Sequence, residues 1–312
     1  MINRTMVRTR VVQTLFAYYT NQGDTPSHAL KQLRNSFSDT YSLYMMLLEF
    51  VNALTRYAQE QLEASVERAK VVHREFVPNR RFVENRFAKQ VFNNLQLRHY
   101  IDEQHLTWDA GMNAVEDVYK QLNNHYFFRD YMRQETVTYE DDRRVWRRIM
   151  SDIVPESEEM FSALEEMEVV FDKNHWTTDL DIVASYVVKT IKRFKEDSDA
   201  TQALLPMFDK EEEVQFGEKL LECAIANHDV YAEQVKGRLE HWDAERLAFM
   251  DRIILQTALA EILNFPDIAL EISMNEYLEI AKEYSSEKSH IFINGVLDEI
   301  LKGMKQDNVL LK

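Results

Sequence analysis

The sequence predicts an all-α protein, on three observations. Only 6 Gly and 5 Pro occur in 312 residues, too few for the many tight turns a sheet protein of this length needs. Apolar residues recur at helical spacing along most of the chain. Hydrophobic residues make up 45% and charged residues 29%, a balance that builds a core instead of a disordered coil.

The expected elements follow in order. Residues 4–20 form a first helix, with Val7, Val11, Val12, Leu15, Phe16 and Tyr19 at helical spacing. Arg4, Arg8 and Arg10 crowd its start, and Gly23 and Pro26 punctuate its end. Residues 27–73 read as two long helices dividing near Ser38-Asp39-Thr40, with a stripe running from Tyr44 through Leu47, Leu48, Val51 and Leu54. Another helix is expected over about 80–100. A cap at Thr107-Trp108-Asp109 opens a helix reaching about Arg133. Two shorter helices, 139–152 and 156–171, flank Pro155, and Thr178-Asp179 starts one that runs to Lys195. Asp197-Ser198-Asp199 and Pro206 mark a loop and an organisational boundary.

Five helices are expected from about 210 to 306. Ser273-Met274-Asn275-Glu276 fits a capping box, in which hydroxyl and carboxylate each satisfy a free backbone N–H. Ser285 or Ser286 caps the last helix. Gly295 inside it costs about 1 kcal/mol against Ala, which suggests a close helix crossing that Asn294 could bridge.

Several classes are excluded. No apolar run approaches the length of a membrane span, and the first residues lack a signal-peptide core. A single cysteine, Cys223, permits no intrachain disulfide, which fits a reducing cytoplasm. Its apolar surroundings mark it as a structural thiol. No Gly-rich phosphate loop, Gly-x-Ser-x-Gly or His-Glu-x-x-His occurs, so neither catalysis nor a cofactor is expected. The acid-x-x-His pairs Asp102/His105, Asp172/His175 and Glu287/His290 are about as frequent as chance allows, and no metal site is expected from them.

The net charge of -16 is unevenly spread. Residues 1–150 hold 21 Lys and Arg against 18 Asp and Glu, and residues 151–312 hold 16 against 35. Such a chain can still present a basic face to phosphates. Within 68–98, Arg68, Lys70, Arg74, Arg80, Arg81, Arg86, Lys89 and Arg98 interleave with Phe76, Phe82, Phe87 and Phe92. Two readings stay open there: cations holding phosphates beside stacking rings, or core rings under a solvated arginine face. The run Arg143-Arg144-Val145-Trp146-Arg147-Arg148 poses the same choice.

One resemblance is specific. Met250-Asp251-Arg252, Leu255-Gln256, Met274-Asn275-Glu276 through Ala281-Lys282, and Phe292-Ile293-Asn294-Gly295-Val296-Leu297-Asp298 closely resemble the pattern of the NusB family. Arg8 with Gln13-Thr14-Leu15-Phe16 resembles that family's opening helix, and Phe216-Gly217 through Leu221 matches more loosely. The resemblance covers about 4–22 and 211–302.

It implies NusB-like helical bundles. Residues 1–22 would be the first helix, 23–209 a helical insertion or elaborated first half, and 210–312 the C-terminal bundle. It further implies a non-catalytic, RNA-binding transcription antitermination factor. The implied partners are boxA-type single-stranded RNA, the small-subunit ribosomal protein called NusE in this role, and the RNA polymerase antitermination complex. By resemblance, Arg4, Arg8, Lys282, Lys288 and Phe292 would meet RNA, with Arg10 added on charge alone. Phe16, Glu245 and Asp251 would meet the partner protein. Phe16 stands where the family has Tyr, and Gln256 where it has Arg. The alternative is a helical protein-protein adaptor that kept the fold and lost RNA binding. A third class, an RNA methyltransferase carrying a NusB-like domain, would need a cofactor glycine motif and a βαβ pattern that the chain lacks.

Overall fold

A computed structural model describes residues 1–21, 23–73, 75–238 and 248–306. The helices are α1 (Arg4–Thr20), α2 (Pro26–Val71), α3 (Arg86–Asn93), α4 (Leu95–Gln104), α5 (Met112–Asn124), α6 (Tyr126–Arg133) and α7 (Tyr139–Asp152). They continue with α8 (Glu158–Phe171), α9 (Trp176–Arg193), α10 (Glu212–Ala226), α11 (His228–Arg238), α12 (Phe249–Asn264), α13 (Leu270–Tyr284) and α14 (Ser289–Gln306). The described residues contain no strand, only an isolated bridge between Ile2 and Phe208. The fold is all-α, and no described helix is long and apolar enough to cross a membrane.

The chain divides into two compact units, Met1–Phe37 with Met207–Lys312, and Ser38–Pro206. In the first, α1 packs on α10, α12 and α13, while α12 also touches α11 and α14. Every residue of α12 from Ile253 to Ile262 is buried, as expected of a helix with neighbours all round. Its apolar residues supply transfer energy, and its buried polar residues, Asp251, Gln256, Thr257 and Glu261, must each find partners. Helix α10 approaches α1 closely at Gly217. A Cβ there would lie 2.7 Å from Val7 Cγ1, so only glycine lets α10 sit this close to α1. Gly295, where sequence suggested a crossing, is exposed and has open space where its Cβ would be.

In the second unit, α7 packs on α3, α6 and α9, and α8 packs on α5 and α9. Trp146 and Trp176 are fully buried in its core. Trp176 Nε1 donates to the Asp39 carbonyl at 2.9 Å, and Trp108 Nε1 to the Met46 carbonyl at 2.8 Å. Here α2 corrects the sequence reading, for it is one 46-residue helix with no break near Ser38-Asp39-Thr40. Those side chains do not cap a helix end. Thr40 Oγ1 donates to Asp179 at 2.6 Å, and Asp39 accepts from the Asn174 N–H and faces Lys173 Nζ at 3.4 Å. Tertiary partners thus satisfy groups that, left to themselves, would compete with the helix backbone.

Two other expected helices are each divided. Asn94 ends α3 and caps α4, its Oδ1 accepting the Leu97 N–H at 3.0 Å. The helix expected to reach Arg133 is interrupted at His125, whose extended backbone separates α5 from α6. The Ser273 capping box is also corrected. Helix α13 starts three residues earlier, at Leu270, and Ser273 spends its hydroxyl on Glu261. Of the acid-x-x-His residues, His105, Asp172 and His175 sit at helix ends with left-handed backbone. No group of three metal-ligating side chains is found among the described residues.

Candidate nucleic-acid interface

The residues singled out in the first unit fall at two ends of α12. At its C-terminal end stands Arg8, donating to Glu261 twice, from Nε at 2.7 Å and Nη2 at 2.9 Å. Arg8 Nη1 also lies 3.4 Å from Glu276 Oε2. Glu261, fully buried, further accepts from Ser273 Oγ at 2.7 Å and Tyr277 OH at 2.9 Å. Burial alone would lower the Arg8 pKa, but the bonds to and charge of Glu261 raise it. Burial, together with the Glu261 charge, pushes the Tyr277 hydroxyl well above its ordinary value, so it stays a donor. This is a buried ion pair with two direct hydrogen bonds, joining α1 to α12 and, through Ser273 and Tyr277, to α13.

Arg4, one helical turn earlier, keeps a partly exposed side chain. Its Nε donates to Glu213 at 3.2 Å and its guanidinium carbon lies 5.1 Å from the Phe216 ring centre. Arg8 faces the same ring at 5.4 Å. Arg10 is buried, with Nη1 donating to Gln13 at 2.7 Å. Arg8 and Arg10, both expected to meet RNA, are each only 2% exposed.

At the other end of α12, Asp251 is buried and accepts from Ser285 Oγ and from Ser289 Oγ, the latter at 3.0 Å. Ser289 opens α14, so Asp251 pins the α13–α14 turn. Asp251, expected to meet the partner protein, is only 5% exposed and bonds both serines inside the fold. The pinned turn carries Lys288, exposed, with Lys282 exposed in the last turn of α13. Among the described residues Lys282 pairs with its helix neighbour Glu279, at 2.5 Å. Phe292 is partly exposed one turn into α14, next to Ile291, which is 65% exposed. Phe16 is partly exposed and packs on Phe249, ring centres 5.2 Å apart. Glu245 lies outside the described residues.

Ten residues of α12 separate Asp251 from Glu261, about 15 Å at 1.5 Å per residue. Lys282, Lys288 and Phe292 thus lie in the last turn of α13, in the α13–α14 turn and at the start of α14, whereas Arg8 lies at the far end of α12. Sequence reasoning also missed the task of Gln256. Buried on α12, it donates to Tyr19 OH at 2.8 Å and to the Ala224 carbonyl at 2.7 Å, and meets His228 Nδ1 at 3.1 Å. The amide offers donor and acceptor together, which an arginine could not.

In the second unit the 68–98 segment resolves residue by residue. Phe82 and Phe87 are core, whereas Phe76 and Phe92 are 43% and 60% exposed. Arg86 is structural, donating to Asp142 and Glu196 at 2.6 Å each and to the Val137 carbonyl at 3.0 Å. Arg81 donates to the Tyr131 carbonyl at 2.9 Å, and Arg80 pairs with Glu84 at 3.0 Å. Arg74 lies outside the described residues.

Fold and site together define a class: an all-helical protein whose candidate site offers cations and rings for binding. The comparisons give the particular family. The model of the NusB family matches residues 180–302. The chain is 36% identical over 104 residues to the transcription antitermination protein NusB of Bacillus licheniformis, covering 33% of this chain and 81% of that protein. It is 32% identical over 132 residues to the protein of the same name from Salinibacter ruber, covering 40% and 82%. A solved structure of T. maritima NusB is 26% identical and covers 50% of this chain and 90% of that one, with a TM-score of 0.29. The chain belongs to the NusB family, whose members are transcription antitermination factors and not enzymes.

Proposed function

We propose that this protein is a non-catalytic antitermination factor of the cytoplasm that binds a boxA-type single-stranded RNA together with a small-subunit ribosomal protein of the NusE kind. Residues 23–209 are an insertion or elaboration carried by this chain. RNA meets Lys282, Lys288 and Phe292 at the α13–α14 turn, with Arg4 as a separate cationic contact. Phe16 and Glu245 serve the partner protein. Arg8, Arg10 and Asp251 act indirectly, by holding helices and turn in place.

The observation that supports this reading best is the pinned turn. Asp251 spends a buried carboxylate on two serines, and the turn so fixed displays two exposed lysines beside a partly exposed ring. Cations that neutralise phosphates and a ring that stacks on a base are what single-stranded RNA recognition uses. The test is RNA affinity with and without the ribosomal protein. Joint binding much tighter than either alone is expected, and Lys282→Ala with Lys288→Ala should abolish most of it. The adaptor reading is favoured by the burial of Arg8 and Arg10. It wins if the ribosomal protein binds while RNA at low salt does not.

A further inference from the structure

The second unit contains a cleft of about 240 Å³ between α6 and α7. Its wall begins with Tyr126, 57% exposed, and Phe127. The Arg148 guanidinium covers the Phe127 ring at 4.9 Å and lies 5.7 Å from the Tyr126 ring centre. Arg148 is held in that pose by Asp152 and by Tyr126 OH at 3.2 Å. The two rings stand nearly perpendicular, at 85°, so the wall offers the exposed Tyr126 ring and the adjoining Arg148 guanidinium, groups on which an unstacked base can lie.

The polar groups of the cleft are of two kinds. Arg144 is exposed and engages Asp141 through Nη1 at 3.1 Å, which leaves most of its fork for an anion. The Gln134 side-chain carbonyl is shut from water and has no donor among the described residues. Asp130, also in the lining, is exposed and forms no ion pair among the described residues. These two are acceptors awaiting an N–H group. An amino-bearing base on a phosphate supplies both an N–H donor and an anion. A basic peptide side chain would instead meet Arg144 and Arg148 at the mouth.

We propose that this cleft binds one nucleotide of single-stranded RNA, its base stacked on Tyr126 and Arg148, its amino group on Gln134 and Asp130, and its phosphate on Arg144. Adenine, cytosine and guanine fit these acceptors, and uracil, without an exocyclic amine, fits less well. The inference rests on the reading of this protein as an RNA binder, and adds a contact that the α13–α14 turn does not supply.

The experiment titrates the full chain, labelled for amide NMR, with adenosine, cytidine and uridine monophosphates. Shifts confined to 126–134 and 141–148, stronger for the adenine and cytosine forms, are expected. Tyr126→Ala and Arg144→Ala, both at exposed positions, should each weaken binding by about tenfold, the size of one lost stacking or charged contact. Shifts in this cleft from a mononucleotide, with no binding of longer single-stranded RNA, would uphold the cleft and overturn the antitermination reading. Binding of longer RNA that leaves the cleft amides unmoved, or a cleft that answers only to a lysine- and arginine-rich peptide, overturns the cleft.

Discussion

Arg8 is a buried cation held by a buried anion, and such a pair is costly to disturb from one side. Truncating one partner leaves the other charged and unpaired, at about 3–5 kcal/mol. Glu261 would keep Ser273 and Tyr277 but lose both guanidinium bonds. Arg8→Ala should therefore lower stability by about that amount in denaturant titration. A loss under about 1 kcal/mol, the size of a surface pair, would show that Arg8 is not buried as described. Any loss of RNA binding in that variant has to be read against its unfolding. Two glycines give a cleaner contrast. Gly217→Ala forces a methyl group against Val7, a stiff β-branched side chain that is fully buried. Overpacking of this kind costs about 1–3 kcal/mol, which outweighs the helix propensity gained. Gly295→Ala meets open space and should stabilise by about 1 kcal/mol. Thermal melts of the two variants should move in opposite directions. The importance of a helical glycine was legible in the sequence, but which one was not, since closeness depends on the facing helix.

At the scale of elements, α7 shows local chemistry setting a helix start. Its start, Thr138 with Asp141, is a reciprocal capping box, Thr138 Oγ1 accepting the Asp141 N–H at 3.2 Å and Asp141 accepting the Thr138 N–H at 3.0 Å. Bonds from Arg147 and then Arg143 hold the Glu140 carboxyl below its usual 4.5, and those from Thr138 hold Asp141 below 3.8. Depressed acid pKa values mean the folded state binds these protons less tightly than the unfolded chain. Their stabilisation is present above about pH 4.5 and is lost as pH falls through the folded values. Both groups are partly exposed, so the effect is modest. Between pH 5 and pH 3, Glu140→Gln should lose less melting temperature than the wild type; an equal loss would show that the Glu140 pairs with Arg143 and Arg147 add nothing to stability. Elements announced by local signals were legible: α1 and α7 match their expected ranges. Elements decided by tertiary partners were not. Ser38-Asp39-Thr40 looks like a helix end until Lys173, Asn174 and Asp179 take its polar groups. Ser273 looks like a cap until Glu261 claims its hydroxyl. Asn94 and His125 carry divisions that neither Gly nor Pro marks.

For the whole molecule the governing question is how a chain of net charge -16 holds a polyanion. Its overall field repels RNA, so attraction must come from local cations at short range, where screening matters less. Burial cuts the supply further, since Arg8 and Arg10 contribute nothing at the surface. The family motif pointed to α1 and to the α13–α14 turn. It could not show which arginines the fold turns inward, because that depends on Glu261, which lies 253 residues from Arg8. Three exposed or partly exposed cations of the first unit remain in the proposed site: Arg4, Lys282 and Lys288. Each cation that neutralises a phosphate of a single strand adds about 0.7 to the slope of log affinity against log salt. The wild type should then show a slope near −2 from these three, and Lys282→Ala with Lys288→Ala should flatten it by about 1.4. Arg4→Ala alone should remove about 0.7 if one RNA spans both ends of α12. An unchanged slope in the Arg4 variant, with the lysine pair effective, would confine the RNA to the α13–α14 turn. A slope indifferent to all three replacements would place the charge elsewhere in the chain, with the cleft between α6 and α7 the first region to examine.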